Sequence, residues 1–225
     1  MKEADLLRTA VVTGASGGVG SALVERLEHD GWRVFAAARR RPERDDQLEL
    51  DLAHPKSIGA ARATVASALG GSTLSALVNL AGISVNGPLE LVPADALRRQ
   101  LEINVIGQLA VIQSFLPLLR GDGRIVNMGG AAGRLPLPMY GALSASKAAL
   151  DAMSAALRME LKHQGVTVSY IEPGALRTRF FGNAIVPPSQ ASPDVATAMR
   201  PQWRRLRKGS PTRPLRPSTR PSRQS

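Results

Sequence analysis

The residues best placed to do chemistry near the start of the chain form a glycine-rich loop. It runs from Thr13 to Gly20, after an apolar β-branched stretch and before a helical pattern. Glycines permit a tight turn and a close approach of backbone to a ligand, and the first turn of a helix presents free N–H groups. The loop therefore predicts a site for the pyrophosphate of a dinucleotide cofactor. The expected contacts are Gly14, Ser16, Gly18, Val19 and Gly20.

Arginines follow the second predicted strand, where the adenosine ribose of a dinucleotide would lie. A carboxylate here would accept hydrogen bonds from the ribose of NAD, but the sequence Ala-Ala-Ala-Arg-Arg-Arg at 36–41 has none. A guanidinium group can bind phosphate through two parallel hydrogen bonds. Arg39 and Arg40 therefore favour NADP, which carries a 2′-phosphate, over NAD.

Strand-like and helical patterns alternate along most of the chain. Short apolar stretches predict strands at 9–12, 32–38, 48–50, 74–79, 124–128 and 166–171. Helical patterns lie between them, ending at His29 and then covering 55–69, 93–119 (one helix or two in sequence) and 142–163. Continuously apolar strands that alternate with helices indicate a parallel sheet covered on both faces. The predicted fold class is α/β, a doubly wound parallel sheet of about six strands.

Composition separates a folded part from a basic tail. The 225 residues, 44% of them hydrophobic, suffice for one core but not for two large ones. Nine of the 29 Lys and Arg residues lie in 200–225, which has no acidic residue, so the net charge of +11 becomes +2 for residues 1–199. We expect a dinucleotide-binding domain at 1–180, a partial substrate-side segment at 181–199, and a disordered Arg/Pro/Ser tail at 200–225.

Residue content excludes several classes of function. The absence of cysteine rules out disulfides, thiolate metal ligands and a cysteine nucleophile. The three histidines, His29, His54 and His163, fit no metal-ligand spacing, so no metal site is expected. No apolar run approaches the roughly 18 residues of a membrane span, and a strand begins too early for a signal peptide. We expect a cytoplasmic protein with no membrane partner.

Ordered motifs between residues 8 and 180 resemble the short-chain dehydrogenase/reductase family. In chain order they are the TGxxxGxG loop, Asp51 after the third strand, Asn-Leu-Ala-Gly at 79–82, Asn104 in a long helix, the fifth strand at 123–128, Ser-Ala-Ser-Lys at 144–147, and Pro-Gly-Ala-Leu-Arg-Thr at 173–178. The resemblance implies a Rossmann-like fold, an NAD(P) cofactor and hydride transfer involving carbonyl or alcohol substrates.

The resemblance also assigns further residues to the cofactor. Asp51, with Leu52 beside it, would contact the adenine, and the turn containing Asn79, Ala81 and Gly82 would line the adenosine side. The segment after the sixth strand would hold the nicotinamide amide. Its implied contacts are Pro173, Gly174, Leu176 and Thr178.

Catalysis in this family looks like a proton relay through an Asn, a Ser, a Tyr and a Lys, of which this chain keeps two. The Tyr donates a proton to the carbonyl, and the Lys four residues later lowers the pKa of that Tyr. Asn104 and Lys147 are present, but Leu143 stands at the Tyr position and Gly130 at the Ser position. Neither side chain can donate a proton or anchor an oxygen, so we expect weak or absent turnover.

Tyr140 is the nearest candidate to replace the missing phenol. It lies seven residues before Lys147, and on a continuous helix about 10 Å of axial rise would separate the two positions. Its hydroxyl could reach the lysine only from a loop that swings inward. Ser144 and Ser146 are interpreted as ordinary capping and packing residues at the start of a helix.

Three functional hypotheses remain open. The chain is a working NADP-dependent oxidoreductase with Tyr140 or water as proton donor, a non-catalytic cofactor-binding relative that acts by binding or by partnering an active subunit, or a module whose basic tail binds nucleic acid. The third is disfavoured because basic tails need no specific partner. By analogy with the family, a homodimer is expected through the helices that carry Asn104 and Lys147.

The end of the chain departs from the family pattern. In the family a seventh strand normally closes that side of the sheet, and residues 181–225 contain no convincing version of it. The edge at 166–171 would then be exposed to other chains unless the tail or a second subunit covers it. The loss of patterning near Met199 is also what an out-of-frame reading of a GC-rich gene would produce.

Overall fold

Six parallel strands form one sheet in the order β3-β2-β1-β4-β5-β6 in the computed structural model, which describes residues 8–39, 47–119, 121–174, 176 and 180. The strands are β1 (Thr9–Thr13), β2 (Arg33–Ala38), β3 (Gln47–Glu49), β4 (Ala76–Asn79), β5 (Arg124–Met128) and β6 (Thr167–Ile171). The predicted α/β class and strand number are confirmed. The strand order reverses between β1 and β4, so a crevice opens at their carboxyl ends, where open α/β sheets bind ligands.

Helices cover the sheet from both sides. They are α1 (Gly18–His29), α2 (Pro55–Leu69), α3 (Ala94–Leu101), α4 (Gly107–Leu119) and α5 (Gly141–Glu160). Successive side chains of a strand point to opposite faces, and β1 shows this directly. Its residues Ala10 and Val12 pack with α1, whereas Val11 belongs to the larger core shared by α2 and α4.

The region predicted as helical at 93–119 is one continuous helical stretch. A π-helical turn, Glu102–Ile106, joins α3 to α4 and contains Asn104. The combined stretch at 94–119 is long and apolar enough to cross a membrane, a property that counting consecutive apolar residues missed. In this fold Val111 and Phe115 of α4 are fully buried in the core, so packing against the sheet accounts for their presence.

Several element boundaries differ from the predicted ones by a few residues. The helix expected at 142–163 ends at Glu160 and is followed by a 3₁₀ turn, Lys162–Gln164, and by Gly165 with φ +73°. The strand expected from residue 74 begins at Ala76. Leu74 is not part of it, because its N–H donates to the Leu118 carbonyl at 2.8 Å instead of to a neighbouring strand.

Some predictions concern residues outside the described part of the chain. These are Arg40, Thr178, the segment 181–199, the expected absence of a seventh strand from 181–225, and the tail 200–225. Within the described residues the sheet ends at β6.

Replacing Phe115 by alanine tests the larger core. The ring is fully buried on α4, so Phe115→Ala should lower the free energy of unfolding by about 3–5 kcal/mol through lost burial and a residual cavity. Leu135 is 65% exposed, and Leu135→Ala should change stability by less than about 0.5 kcal/mol. Urea unfolding of both variants measures the difference, and equal effects would contradict this core assignment.

Candidate cofactor and catalytic site

The glycine loop at the end of β1 is closed by backbone contacts that leave no room for a side chain at Gly14 or Gly20. Gly14 has φ +69°, and a Cβ there would lie 2.7 Å from the Ala81 nitrogen. A Cβ on Gly20 would lie 2.8 Å from the Ala15 Cα and nearer still to the Gly14 carbonyl oxygen. These two glycines bring the loop, the start of α1 and the turn after β4 into direct backbone contact.

The amino end of α1 is open to an anion. Its N-cap residue is Gly17, no side chain caps the helix, and the first turn has no acidic residue. The first N–H groups, including those of Gly18 and Val19, can therefore bind a negatively charged group with the favourable end of the helix dipole. Ser16 is exposed at the rim of this loop. The loop fits the pyrophosphate site predicted from the sequence.

The residues predicted to meet the adenosine differ in what they already contact. Arg39 follows the carboxyl end of β2 and is exposed, so its guanidinium is accessible to a ligand. The Asp51 carboxylate accepts a hydrogen bond from the Ala53 N–H at 2.9 Å and pairs with His54 at 3.2 Å. Leu52 is buried. Contact of Asp51 and Leu52 with the adenine stays a prediction.

The turn after β4 is anchored to β1 by Thr13. Its hydroxyl oxygen accepts hydrogen bonds from the Leu80 and Ala81 N–H groups, both at 3.2 Å. The Asn79 side chain is fully buried and donates to the Asn127 side chain at 2.9 Å. The Asn79 Oδ1 atom is buried and has no hydrogen-bond partner among the described residues, and contact of Asn79 with the cofactor stays a prediction.

Asn104 is held by a buried network that includes residues not singled out from the sequence. Its amide donates to the Ile83 carbonyl at 2.9 Å and to the Ser146 hydroxyl at 3.1 Å, and its oxygen accepts from the Ile83 N–H at 2.9 Å. Gln100 donates to the same hydroxyl at 3.2 Å and accepts from the Val85 N–H. The network ties α3, the π turn and α5 to the loop after β4.

Ser146 is the centre of this network, not a helix cap. It is fully buried, and its hydroxyl donates to the Leu143 carbonyl at 2.8 Å while accepting from two side-chain amides. The spacing of Gln100 and Asn104, four residues apart on one helical face, is the signal in the sequence that could have identified the pair.

Lys147 is buried beside the carboxyl end of β5. Only 6% of the residue is exposed, and its ammonium donates to the Met128 carbonyl at 2.6 Å. Burial lowers the pKa of this amine from 10.5 to about 8. Leu143, one turn earlier on the same face of α5, is also buried. The structure thus places an aliphatic side chain one turn before the lysine.

Gly130, in the segment between β5 and α5, has space for a side chain. A Cβ added to Gly130 would meet no atom within 4 Å, and the backbone there is extended (φ 163°), a conformation open to any residue. Tyr140 is the N-cap residue of α5, and its carbonyl accepts from the Ser144 N–H at 2.8 Å. It therefore lies outside the helix, about 10 Å along the axis from Lys147.

The segment after β6 closes the described part of the site. The Pro173 carbonyl accepts a hydrogen bond from the Ala131 N–H at 3.4 Å, and Leu176 is 42% exposed. The Phe180 ring lies 3.8 Å from the position of a Cβ on Gly82. Pro173, just after β6, therefore contacts the loop after β5, and Phe180 lies beside the turn after β4. Gly174 is exposed, with open space around its Cα.

The fold and the site features described above occur together in a known protein family. Residues 8–185 match the short chain dehydrogenase family, and the chain belongs to it. The fold and the glycine loop are those of an NAD(P)-binding oxidoreductase family.

Three similar proteins illustrate the range of the family. A 3-amino-tetrahydro-pyrrolizinone reductase from Xenorhabdus hominickii is 41% identical over 80% of this chain and 65% of its own length. An oxidoreductase from Brucella ovis, solved with a partially ordered NAD, is 32% identical with a TM-score of 0.70 over 76% of this chain and 84% of that one. A short chain dehydrogenase from Burkholderia cenocepacia J2315, solved with NADP, is 29% identical with a TM-score of 0.69 over 86% and 84%.

The chain spans just under two thirds of the length of the Xenorhabdus relative. The family match at residues 8–185 contains the glycine loop, the π turn and α5, which are elements of the site described above.

A helical glycine pair tests the loop contact. Gly20→Ala places a methyl group against the Gly14 backbone, so the loop must open; we expect lower thermal stability and loss of dinucleotide binding. Gly59→Ala is the matched control, because a Cβ on this exposed residue of α2 meets nothing within 4 Å. The free energy of unfolding of that variant should rise by roughly 0.5–1 kcal/mol, because alanine loses less backbone entropy than glycine on folding into a helix. Melting curves and NADPH titrations of both variants provide the comparison.

Burial of Lys147 predicts a pH dependence of stability. Between pH 8 and 10.5 the unfolded chain holds a proton on this amine that the folded chain has lost, so the free energy of unfolding rises with pH in that window. Lys147→Met should remove this rise, because other titrating groups act equally in both proteins. Urea unfolding from pH 7 to 10 measures it. Parallel pH profiles for the two proteins would show that Lys147 keeps its ordinary pKa.

Proposed function

We propose that this chain binds NADP(H) and that hydride transfer between carbonyl and alcohol substrates is weak or absent in it. The observation that carries the proposal is the buried aliphatic side chain of Leu143, one helical turn before Lys147. A bound NADP(H) would supply the hydride. The protein must then supply a proton to the substrate oxygen, and leucine has none to give.

A second loss accompanies the first. Gly130 has no side chain that could hold the substrate oxygen, although the space for one exists. A positioned general acid contributes about 10²–10⁴-fold to such a reaction, and groups that act as a unit lose activity together. The two replacements therefore remove the chemistry while the surrounding backbone keeps its arrangement.

The parts that bind the cofactor are intact. The amino end of α1 is uncapped, the loop glycines are packed against the turn after β4, and the Lys147 ammonium lies at the carboxyl end of β5. An ammonium donor at this place can bind the hydroxyl groups of a nicotinamide ribose. Binding without turnover is the combination that these residues support.

NADP is proposed over NAD because of the end of β2. Arg39 is exposed there, and no carboxylate stands beside it in the sequence Ala-Ala-Ala-Arg. The two solved relatives named above were obtained with NADP in one case and NAD in the other, so the family alone does not choose. The charge at this position supports the 2′-phosphate.

Two alternatives share this scaffold. In the first, Tyr140 or water serves as proton donor; the half-buried position of Tyr140 just before α5 favours it over a surface residue. In the second, the protein acts through a partner subunit, a homodimer being the simplest. Ile106 and Met159, on the helices proposed to form that contact, are 54% and 74% exposed. We propose a cytoplasmic location under both of these alternatives.

The deciding experiment compares the protein with a restored variant. NADPH is titrated, and reduction of a panel of small aldehydes and ketones is followed, for the parent and for Gly130→Ser combined with Leu143→Tyr. Both should bind NADPH. The restored variant should turn over about 10²–10⁴-fold faster.

Tyr140→Phe in the parent separates the alternatives. Appreciable parent turnover that this change abolishes would establish Tyr140 as the donor. High parent turnover that survives the change would refute the assignment of the proton donor, and failure of the parent to bind NADPH would refute the proposal as a whole.

A further inference from the structure

The space for a side chain at position 129 is occupied by another residue. A Cβ added to Gly129 would lie 2.6 Å from the Cε1 atom of Tyr170 and nearer still to its Cζ and hydroxyl oxygen. Tyr170 is on β6, paired in register with Asn127 of β5. The tyrosine ring therefore enters from the neighbouring strand the volume that a side chain at 129 would fill. At Gly130, one residue later, the corresponding volume is open.

The Tyr170 hydroxyl contacts both α5 and the turn that follows β5. It donates a hydrogen bond to the Lys147 carbonyl at 2.9 Å and interacts with the backbone N–H of Gly130. Burial, followed by the nearby Asp151 and Glu172 carboxylates, raises the pKa of this phenol to about 12. The group thus stays protonated and able to donate throughout the neutral range.

Other contacts hold the same turn between β6 and α5. The Gly129 N–H donates to the Ile171 carbonyl at 2.8 Å. A Cβ on Gly133 would lie 3.2 Å from the Lys147 Cβ, so this part of the turn packs directly on α5. Arg134 pairs with Glu172 at 2.8 Å. The Tyr170 hydroxyl adds to these contacts a hydrogen bond to the backbone of Lys147, the residue that carries the site's ammonium.

We propose that the Tyr170 ring takes, from the neighbouring strand, the place that a side chain at residue 129 would fill, and that its hydroxyl positions the Gly129–Gly130 turn against α5 for cofactor binding. Tyr170 is in this account a positioning residue, acting through the turn and through the Lys147 backbone. The cofactor part of the inference rests on the proposed function, whereas the replacement itself does not.

Two adjacent glycines give a matched test of the replacement. Gly129→Ala must displace the Tyr170 ring and break its hydrogen bond, so the melting temperature should fall by several degrees. Gly130→Ala adds the same methyl group to open space on extended backbone and should leave the melting temperature within about one degree. Equal melting temperatures for the two variants would overturn the proposal without any use of cofactor.

Rescue tests the hydroxyl. Tyr170→Val vacates the ring volume, so Gly129→Ala with Tyr170→Val should recover most of the lost melting temperature. Gly129→Ser with Tyr170→Val also returns a hydroxyl to the turn. We expect NADPH to bind about fivefold more weakly to Tyr170→Phe, in line with the loss of one net hydrogen bond. The same weakening is expected for Gly129→Ala with Tyr170→Val, which also lacks the hydroxyl. The Gly129→Ser double variant should bind within about twofold of the parent.

Val65→Ala controls for destabilisation in general. Val65 is fully buried in α2, away from the turn, so its truncation should lower the melting temperature and leave the NADPH dissociation constant unchanged. Unchanged NADPH affinity in Tyr170→Phe would overturn the positioning role. So would an unrecovered melting temperature in Gly129→Ala with Tyr170→Val, or an unrecovered NADPH affinity in Gly129→Ser with Tyr170→Val. If the parent fails to bind NADPH, the proposed function fails, and the melting temperatures alone then decide whether Tyr170 replaces residue 129.

Discussion

The site depends on backbone packed against backbone at the carboxyl ends of β1 and β4. Gly14 lies against the turn that begins at Leu80, Gly20 lies against Gly14, and Thr13 holds that turn through two N–H groups. No side chain larger than hydrogen fits at either glycine without movement of main chain. This contact sets the open end of α1 beside the carboxyl ends of β1 and β4, where the strand order reverses and where open α/β sheets bind ligands.

The other wall of the crevice is held by buried polar side chains. Gln100, Asn104 and Ser146 link the π turn to α5 and to the loop after β4, and each has a partner at hydrogen-bond distance. Buried polar groups are costly unless paired, so such a network holds one arrangement of the helices. Ser146, at the centre of that network, immediately precedes Lys147 on α5, and the Lys147 ammonium donates to the Met128 carbonyl of β5.

The replacements around the site are accommodated by local packing. Leu143 fills its position on α5 as an ordinary buried residue, and the Tyr170 ring fills the volume beside Gly129. The chain belongs to a family of NAD(P)-binding oxidoreductases. Its interior is packed at Leu143 and beside Gly129, whereas a Cβ on Gly130 would meet no atom within 4 Å.

The sequence alone determined the fold class and the glycine loop, because strand and helix periodicity and motif spacing are local properties. It named Asn104 and Lys147 as catalytic candidates and Gly130 and Leu143 as altered positions, and these roles stay predictions. It did not show that Ser146 is the hub of a network, that Asn79 is turned toward Asn127, or that Tyr170 occupies the space beside Gly129. Those contacts join residues 42 positions apart (Asn104 and Ser146), 48 apart (Asn79 and Asn127) and 41 apart (Gly129 and Tyr170). The register of β4 with β5 and of β5 with β6, together with the packing of α5 on the sheet, brings them together.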